Sequence, residues 1–400
     1  MQPSSGDRPA DTIAGGPGIG LPAITNPPRA PADVRPPVQS TALARSPVEP
    51  ILTYAILAAL IGVYVCELVF ATGPTKGMDS SLQTLLALGG LSHPLVAGGQ
   101  WFRLMSSAFL HLNLLHLVMN GFCLYLAGSV LETLVGRSWL VVIFLVGALV
   151  GSVASLLINP PNLLSVGASG AIMALFAAIF MLSLRFEGLV RNQLQSRAVR
   201  ALVPSLIPLG ASFGSGRVDY GAHLGGAVAG VLLGVILIPL WPRDKILPRF
   251  QKGAAFIASC GCLAIALSLF AVLRAYPLFA QTIPIDQLPK TDAEIAARAT
   301  DLLSRYPKDP RSHFYRAITF VRGHDQGAAE LELRAALAEE EMMRLTLAPE
   351  FEMRARGLLA TALALQGEID KAKIEAKPVC ASTATPKPTR NILDQIHLCE

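Results

Sequence analysis

The chain has 400 residues, of which 52% are hydrophobic and only 15% charged, with a formal net charge of +5 and a mean hydropathy of +0.49. Soluble domains carry roughly 25% charged residues, so a wholly soluble enzyme is excluded. The positive excess is small and dispersed, and no Lys/Arg cluster is interleaved with aromatic residues, which excludes a nucleic-acid-binding surface.

Residues 1–50 hold 11 of the 29 prolines, together with four arginines and four acidic residues. Such a segment buries too little apolar surface to offset its ordering entropy, and a disordered tail is predicted. It lacks the short apolar run and small-residue cleavage site of a signal peptide. From Ile51 onward the character changes, since residues 51–241 contain only 13 of the 61 charged residues. A hydrocarbon core of ~30 Å requires about 20 apolar residues per helix. Seven spans are predicted, at 51–71, 112–131, 139–158, 169–184, 201–215, 222–241 and 254–273. The fifth contains Pro204 and Pro208 and needs neighbouring helices to satisfy the backbone groups that proline frees.

Loops 132–138, 185–200 and 242–252 carry nine Lys/Arg, whereas 72–110, 159–168 and 214–221 carry three. The positive-inside rule makes the first set cytoplasmic, with the N-terminus on the same side. An odd number of spans then puts everything after residue 273 on the opposite side.

Residues 281–376 return to soluble helical patterning. The stretch from Tyr306 to Ala317, then Gly323 to Leu331, then Leu359 to Ala372, resembles tetratricopeptide helical hairpins, in which small residues let paired helices pack. Gly323 and Gly367 lie 44 residues apart rather than about 34, so a longer connection is expected around 342–348. Residues 377–400 read as a C-terminal tail. Cys380 and Cys399 are the two cysteines outside apolar spans. On an extracytoplasmic side a disulfide between them would persist and tie the C-terminus back to the last repeat helix; two free thiols are the alternative. Cys66, Cys123, Cys260 and Cys262 fall in apolar spans, where Cys behaves as a small hydrophobe. Glu67 is expected to snorkel at the outer end of the first span.

Ionisable and polar groups inside a membrane segment are costly and mark candidate sites. His116 and Asn120 share one helix face, being i and i+4. His111 stands five residues before His116, roughly 140° around a helix, so the two are not expected to serve one metal. The H-E-x-x-H spacing of zinc proteases is absent, and no metal site is predicted. Interhelical glue is the bland reading of His116 and Asn120, and close packing that of Ser169 in Gly167-Ala-Ser169-Gly170. A serine nucleophile, however, needs one base within hydrogen-bond reach. His223 opens another span, followed by Gly226, Gly230 and Gly234 at four-residue spacing, a strip that permits close helix approach.

Four elements stand together in order: Trp101-Phe-Arg103; His111-x4-His116-x3-Asn120; Gly128-x3-Glu132-x3-Gly136; and Gly167-Ala-Ser169-Gly170, with His223 54 residues beyond the serine. In this combination residues 51–241 resemble the rhomboid family of intramembrane serine proteases. The resemblance implies a catalytic dyad of Ser169 and His223, an oxyanion role for His116 and Asn120, and a structural role for His111. It also implies that Arg103 and Glu132 tie the first loop and the second and third helices together. One position departs: many members place a ring-stacking tyrosine four residues after the nucleophile, where this chain has Met173, whose sulfur fixes an imidazole less well.

The expected fold is therefore all-α, a polytopic membrane helix bundle of the six-plus-one rhomboid type with a small soluble helical-repeat domain. Its parts are a tail (1–50), a six-helix catalytic domain (51–241), a seventh helix with flanks (242–280), a tetratricopeptide-like domain (281–376) and a tail (377–400). The implied activity is hydrolysis of peptide bonds in or near transmembrane segments of protein substrates in the lipid bilayer, without a metal or organic cofactor. The implied membrane is the bacterial cytoplasmic one, with protein clients for the repeat domain. The competing readings are a catalytically inactive rhomboid-like client-binding protein and a small-molecule transporter; the latter predicts repeated halves, which the sequence lacks.

Overall fold

The computed structural model describes residues 49–73, 75, 77–211 and 218–399, with the backbone alone at 201–211. The predicted tail lies outside these residues, apart from its last two. The membrane part begins with α1 (Ile51–Val69). A loop region follows, holding α2 (Leu82–Ala87), β1 (Leu91–Ser92), α3 (His93–Ala97) and α4 (Arg103–Ser106). Then come α5 (Leu114–Val135), α6 (Arg137–Ile158), β2 (Leu164–Ser165), α7 (Ser169–Ser183), α8 (Gly188–Ala211), α9 (Tyr220–Leu237) and α10 (Gln251–Phe279). Among the described residues α1, α5, α6, α9 and α10 are long and apolar enough to cross a membrane, and α7 is a shorter apolar helix.

One segment differs from the sequence-based expectation. Residues 185–200, expected as a loop, are helical from Gly188 as part of α8. Leu194 and Ala198 of that helix are buried against the bundle, so an apolar stripe one turn wide overrides its three arginines. The predicted fifth span falls in the second half of this helix, and its last residues, 212–215, lie outside the described ones.

The bundle packs by close approach at small residues. A Cβ on Gly230 would stand 2.7 Å from Ala174 Cα, one on Gly226 2.7 Å from Gly170 C, and one on Gly128 2.8 Å from Thr53. The glycine strip of α9 thus lies directly on α7, and Gly128 of α5 on α1. Around these contacts the core is filled by Leu124, Leu131, Leu140, Ile143, Phe144, Leu175 and Leu182, each almost wholly buried. The antiparallel pair β1–β2, with Leu91 opposite Ser165, fastens the α1–α5 loop to the segment that leads into α7.

Beyond α10 the chain forms α11 (Asp292–Arg305), α12 (Pro310–Arg322), α13 (Gln326–Ala338), α14 (Glu340–Thr346), α15 (Pro349–Leu365), α16 (Ile369–Ala381) and α17 (Lys387–Gln395). Helices α11 to α13 pack in succession, α13 then meets α15, and α15 packs on α16 and α17. Alanine and leucine fill the seams, at Ala317, Leu333, Leu359, Ala360, Ala372 and Ala376. The connection expected around 342–348 is the helix α14, with Met342 and Met343 buried, and it packs against α10 of the membrane part. Residues 377–399 are not a free tail: α16 runs to Ala381, and α17 folds back with Leu393 buried in the same core. Cys380 and Cys399 are joined as a disulfide with a Cα–Cα distance of 5.5 Å.

Candidate active site

The site begins at the N-terminus of α7. With 15 residues at 1.5 Å each, this helix is about 22 Å long, short of a ~30 Å core. A helix this short leaves non-helical backbone next to it, which at membrane depth is tolerated only when buried in protein or lining a cavity. Ser169 is the first residue of the helix and Ala168 its N-cap, without a side-chain capping bond. The first-turn N–H groups therefore donate to no capping side chain, and they carry the positive end of the helix dipole.

Gly167 turns the chain into this helix at φ +120, and its N–H donates to the carbonyl of Ser107 at 3.0 Å. A Cβ here would meet His116 Cε1 and Nε2 at 2.8 Å and Asn120 Nδ2 at 3.4 Å. Glycine is thus required twice, for the left-handed backbone and for the two side chains that face it. His116 and Asn120 are brought there by α5, whose N-cap Asn113 accepts from His116 N at 2.9 Å. Asn120 is buried, and its Nδ2 has no hydrogen-bond partner among the described residues.

His223 lies in the first turn of α9, half-buried, with its N–H donating to Asp219 O at 3.3 Å. The residues flanking the two candidate side chains touch: a Cβ on Gly170 would stand 3.0 Å from the carbonyl oxygen of Ala222. The α7–α9 contact thus aligns the starts of both helices, one bearing Ser169 and the other His223. Met173 follows Ser169 by about one turn of α7 and is half-buried.

The remaining sequence-derived residues support this frame. Arg103 is wholly buried and donates to Gln100 Oε1 and to the carbonyls of Leu86 and Gly90, each at 2.8 Å, holding the α1–α5 loop. Trp101 beside it is 65% exposed. Glu132 accepts from Leu52 N at 3.0 Å and from Thr53 N and Oγ1 at 2.9 Å each. It therefore caps the first helix from the second, with a further contact to Arg137 at 3.3 Å. Glu132 thus reaches the third helix through Arg137 and, beyond what the resemblance implies, binds the N–H groups at the start of α1.

His111 precedes α5 rather than belonging to it, so its ring meets that of His116 edge-on at a centroid distance of 5.2 Å. The 140° separation assumed that both were helical. Its N–H donates to Glu67 Oε1 at 2.9 Å, and Glu67 also accepts from Ser80 Oγ at 2.7 Å. Glu67 is fully buried and does not snorkel; two loop donors satisfy it where the sequence showed only an apolar helix end.

Sequence reasoning missed Asp219, the N-cap of α9. Its carboxylate accepts from Ala222 N, Ser155 Oγ, Asn159 Nδ2 and Ser165 Oγ. The available signal was an Asp just ahead of a helix, three residues before the N–H of Ala222, the spacing of an N-cap.

Residues 98–240 match the family model for the Rhomboid domain. The chain is 30% identical over 182 residues to the rhomboid protease GluP of Bacillus subtilis, covering 46% of this chain and 34% of that one. It is 36% identical over 163 residues to RHOMBOID-like protein 5 of Arabidopsis thaliana, covering 40% and 52%. With Rhomboid-like protease 2 of Toxoplasma gondii it shares 29% identity over 211 residues, covering 50% and 72%. The chain thus spans about a third of the length of the first of these relatives and about half of the second. The helical fold and the apolar spans agree on an integral membrane helix bundle, and within it residues 98–240 are similar to the Rhomboid domain.

Proposed function

We propose that this chain is an intramembrane serine endopeptidase that cleaves peptide bonds in or next to transmembrane segments of protein substrates. One observation carries the reading. Within the rhomboid-domain match, the helix starts bearing Ser169 and His223 lie so close that a Cβ on Gly170 would stand 3.0 Å from the carbonyl oxygen of Ala222. His223 would take the proton of the Ser169 hydroxyl as its oxygen attacks the scissile carbonyl carbon, then deliver that proton to the leaving amine. Water would hydrolyse the acyl-enzyme by the same path in reverse. The developing oxyanion would be met by first-turn N–H groups of α7 and by His116 and Asn120. Asn120 Nδ2, a buried donor without a protein acceptor among the described residues, suits that task.

The Lys/Arg asymmetry supports an orientation with the N-terminus cytoplasmic and α11 to α17 extracytoplasmic; the proposed membrane is a bacterial cytoplasmic one. That side suits the Cys380–Cys399 disulfide. The tetratricopeptide-like helices would then present a surface to protein clients. The test is labelling of the detergent-purified chain with a fluorophosphonate probe. Labelling that disappears in Ser169→Ala and in His223→Ala, with loss of cleavage of a model transmembrane substrate, is expected. An unlabelled, folded parent would instead leave the inactive client-binding reading.

A further inference from the structure

We propose that Asp219 is a positioning residue that sets the helix bearing His223 against the segment leading into Ser169; the proposal rests on the dyad reading above. Its Oδ1 accepts from Ala222 N at 2.7 Å and from Asn159 Nδ2 at 2.5 Å. Its Oδ2 accepts from Ser155 Oγ at 2.7 Å and from Ser165 Oγ. A carboxylate offers about four lone-pair sites, and four donors occupy them, so the group has no freedom to turn.

Those donors come from three places. Ala222 immediately precedes His223, Ser155 belongs to α6 and Asn159 is its C-cap, and Ser165 lies in β2 four residues before Ser169. Asn159 adds a second tie, its Oδ1 accepting from Gly221 N at 3.3 Å. Between Ser165 and Ser169 the chain has little slack, because Gly167 N is fixed to Ser107 O and Ala168 is fully buried. A shift of Ser165 therefore reaches Ser169, and a shift of Ala222 reaches His223. A helix cap alone would need only the bond to Ala222; the bond to Ser165 belongs to no cap and connects the two halves of the dyad.

The experiment uses the full chain in detergent, with a fluorophosphonate probe and a cleavable transmembrane peptide. Labelling of the parent at Ser169 establishes the reading on which the proposal rests, and an unlabelled parent would overturn both. Ser165→Ala, which removes one hydroxyl and leaves the cap intact, is expected to slow labelling and kcat about tenfold, as small misplacements of reacting groups do. KM should stay within about twofold, since a positioning role changes the reacting geometry and not ground-state binding. Asp219→Asn, which keeps one acceptor oxygen, is expected to lose rate as well, and the double variant to fall little further than the worse single one. Parental labelling rates in both single variants would overturn the proposal, as would losses that multiply in the double variant or fall only on KM or melting temperature.

Discussion

Gln100 holds Arg103 with one end of its side chain and the C-terminal helices with the other. Its Oε1 accepts from Arg103 Nε at 2.8 Å, while its Nε2 donates to the carbonyl of Leu345 at 3.0 Å and, more weakly, to that of Arg344 at 3.4 Å. The Arg103 guanidinium also stands 5.5 Å from the centroid of Phe279, the last residue of α10. The α1–α5 loop, the last membrane helix and α14 therefore meet around one buried cation.

Replacing Gln100 with Ala is expected to leave Arg103 Nε buried without its acceptor. An unsatisfied buried group costs about 1–3 kcal/mol, more when charged. Thermal unfolding in detergent should show this as a lowered melting temperature, with α14 becoming more open to limited proteolysis near residue 345.

Deletion of residues 281–400 removes the carbonyls that Gln100 Nε2 uses and also Thr282, whose Oγ1 accepts from Gln83 Nε2 at 2.6 Å. The truncated protein should therefore melt earlier. Ser169 and His223 and their immediate neighbours all precede residue 241, so fluorophosphonate labelling at low temperature should persist. Parallel melting and labelling measurements on the truncated chain check both halves of this expectation.

Gly230→Ala places a methyl group 2.7 Å from Ala174 Cα and 2.8 Å from its carbonyl carbon, backbone that no side-chain rotation relieves. Overpacking of this kind costs about 1–3 kcal/mol, and here it would push α9 off α7 and separate the starts of the two helices. Labelling of Ser169 should fall together with stability. Gly62→Ala is the control, since a Cβ there has nothing within 4 Å and alanine is the better helix former.

The apolar spans, the glycine strip of α9 and the residues at the start of α7 were legible because each leaves a local pattern: run length, four-residue spacing, a short Gly-Ser cluster. Glu67, Asp219 and Gln100 were not. Each has a deciding partner far along the chain, as when Gln100 meets Leu345 across 245 positions; for Asp219 only the cap to Ala222 is local, and no local window shows its bonds to Ser155 and Ser165. The placement of His111 was misread for a related reason. Asn113 caps α5 two residues after it, so the helical angle between His111 and His116 does not apply. The 44-residue spacing between Gly323 and Gly367 was visible as an irregularity, but its cause, a helix packed on α10, exists only in three dimensions.

Glu132→Ala should be among the more damaging changes outside the candidate site. The carboxylate is 3% exposed and satisfies two N–H groups and the hydroxyl at the start of α1. Hydrogen bonds to a charged group contribute about 1.5–3 kcal/mol each, and removing the carboxylate takes the acceptor from both N–H groups at once. A loss of about 3 kcal/mol or more is expected by equilibrium unfolding in mixed micelles, with Glu132→Gln retaining about half of the stabilisation because one acceptor oxygen remains.

Cys380 and Cys399 close a loop over 18 intervening residues that contains α17. In the chain-entropy model a closure of this length is worth about 3 kcal/mol. Within the loop only Leu393 and Leu398 are buried hydrophobic residues packed in the core formed with α15 and α16, a small apolar anchor for a nine-residue helix that would be marginal alone. Reduction, or the double change Cys380→Ser and Cys399→Ser, should therefore loosen α17 first. Amide hydrogen exchange over 387–395 should rise toward the unprotected rate while α12 and α13 keep their protection, and melting of the C-terminal helices should shift downward. The helices of the membrane part should be unaffected, because no contact of α17 with them is among the main packing interfaces of the described residues. Alkylation of membranes prepared without reductant, followed by peptide mass mapping, gives the direct check: the two cysteines should resist modification until reduced, and alkylated Cys380 and Cys399 in unreduced protein would rule the bridge out.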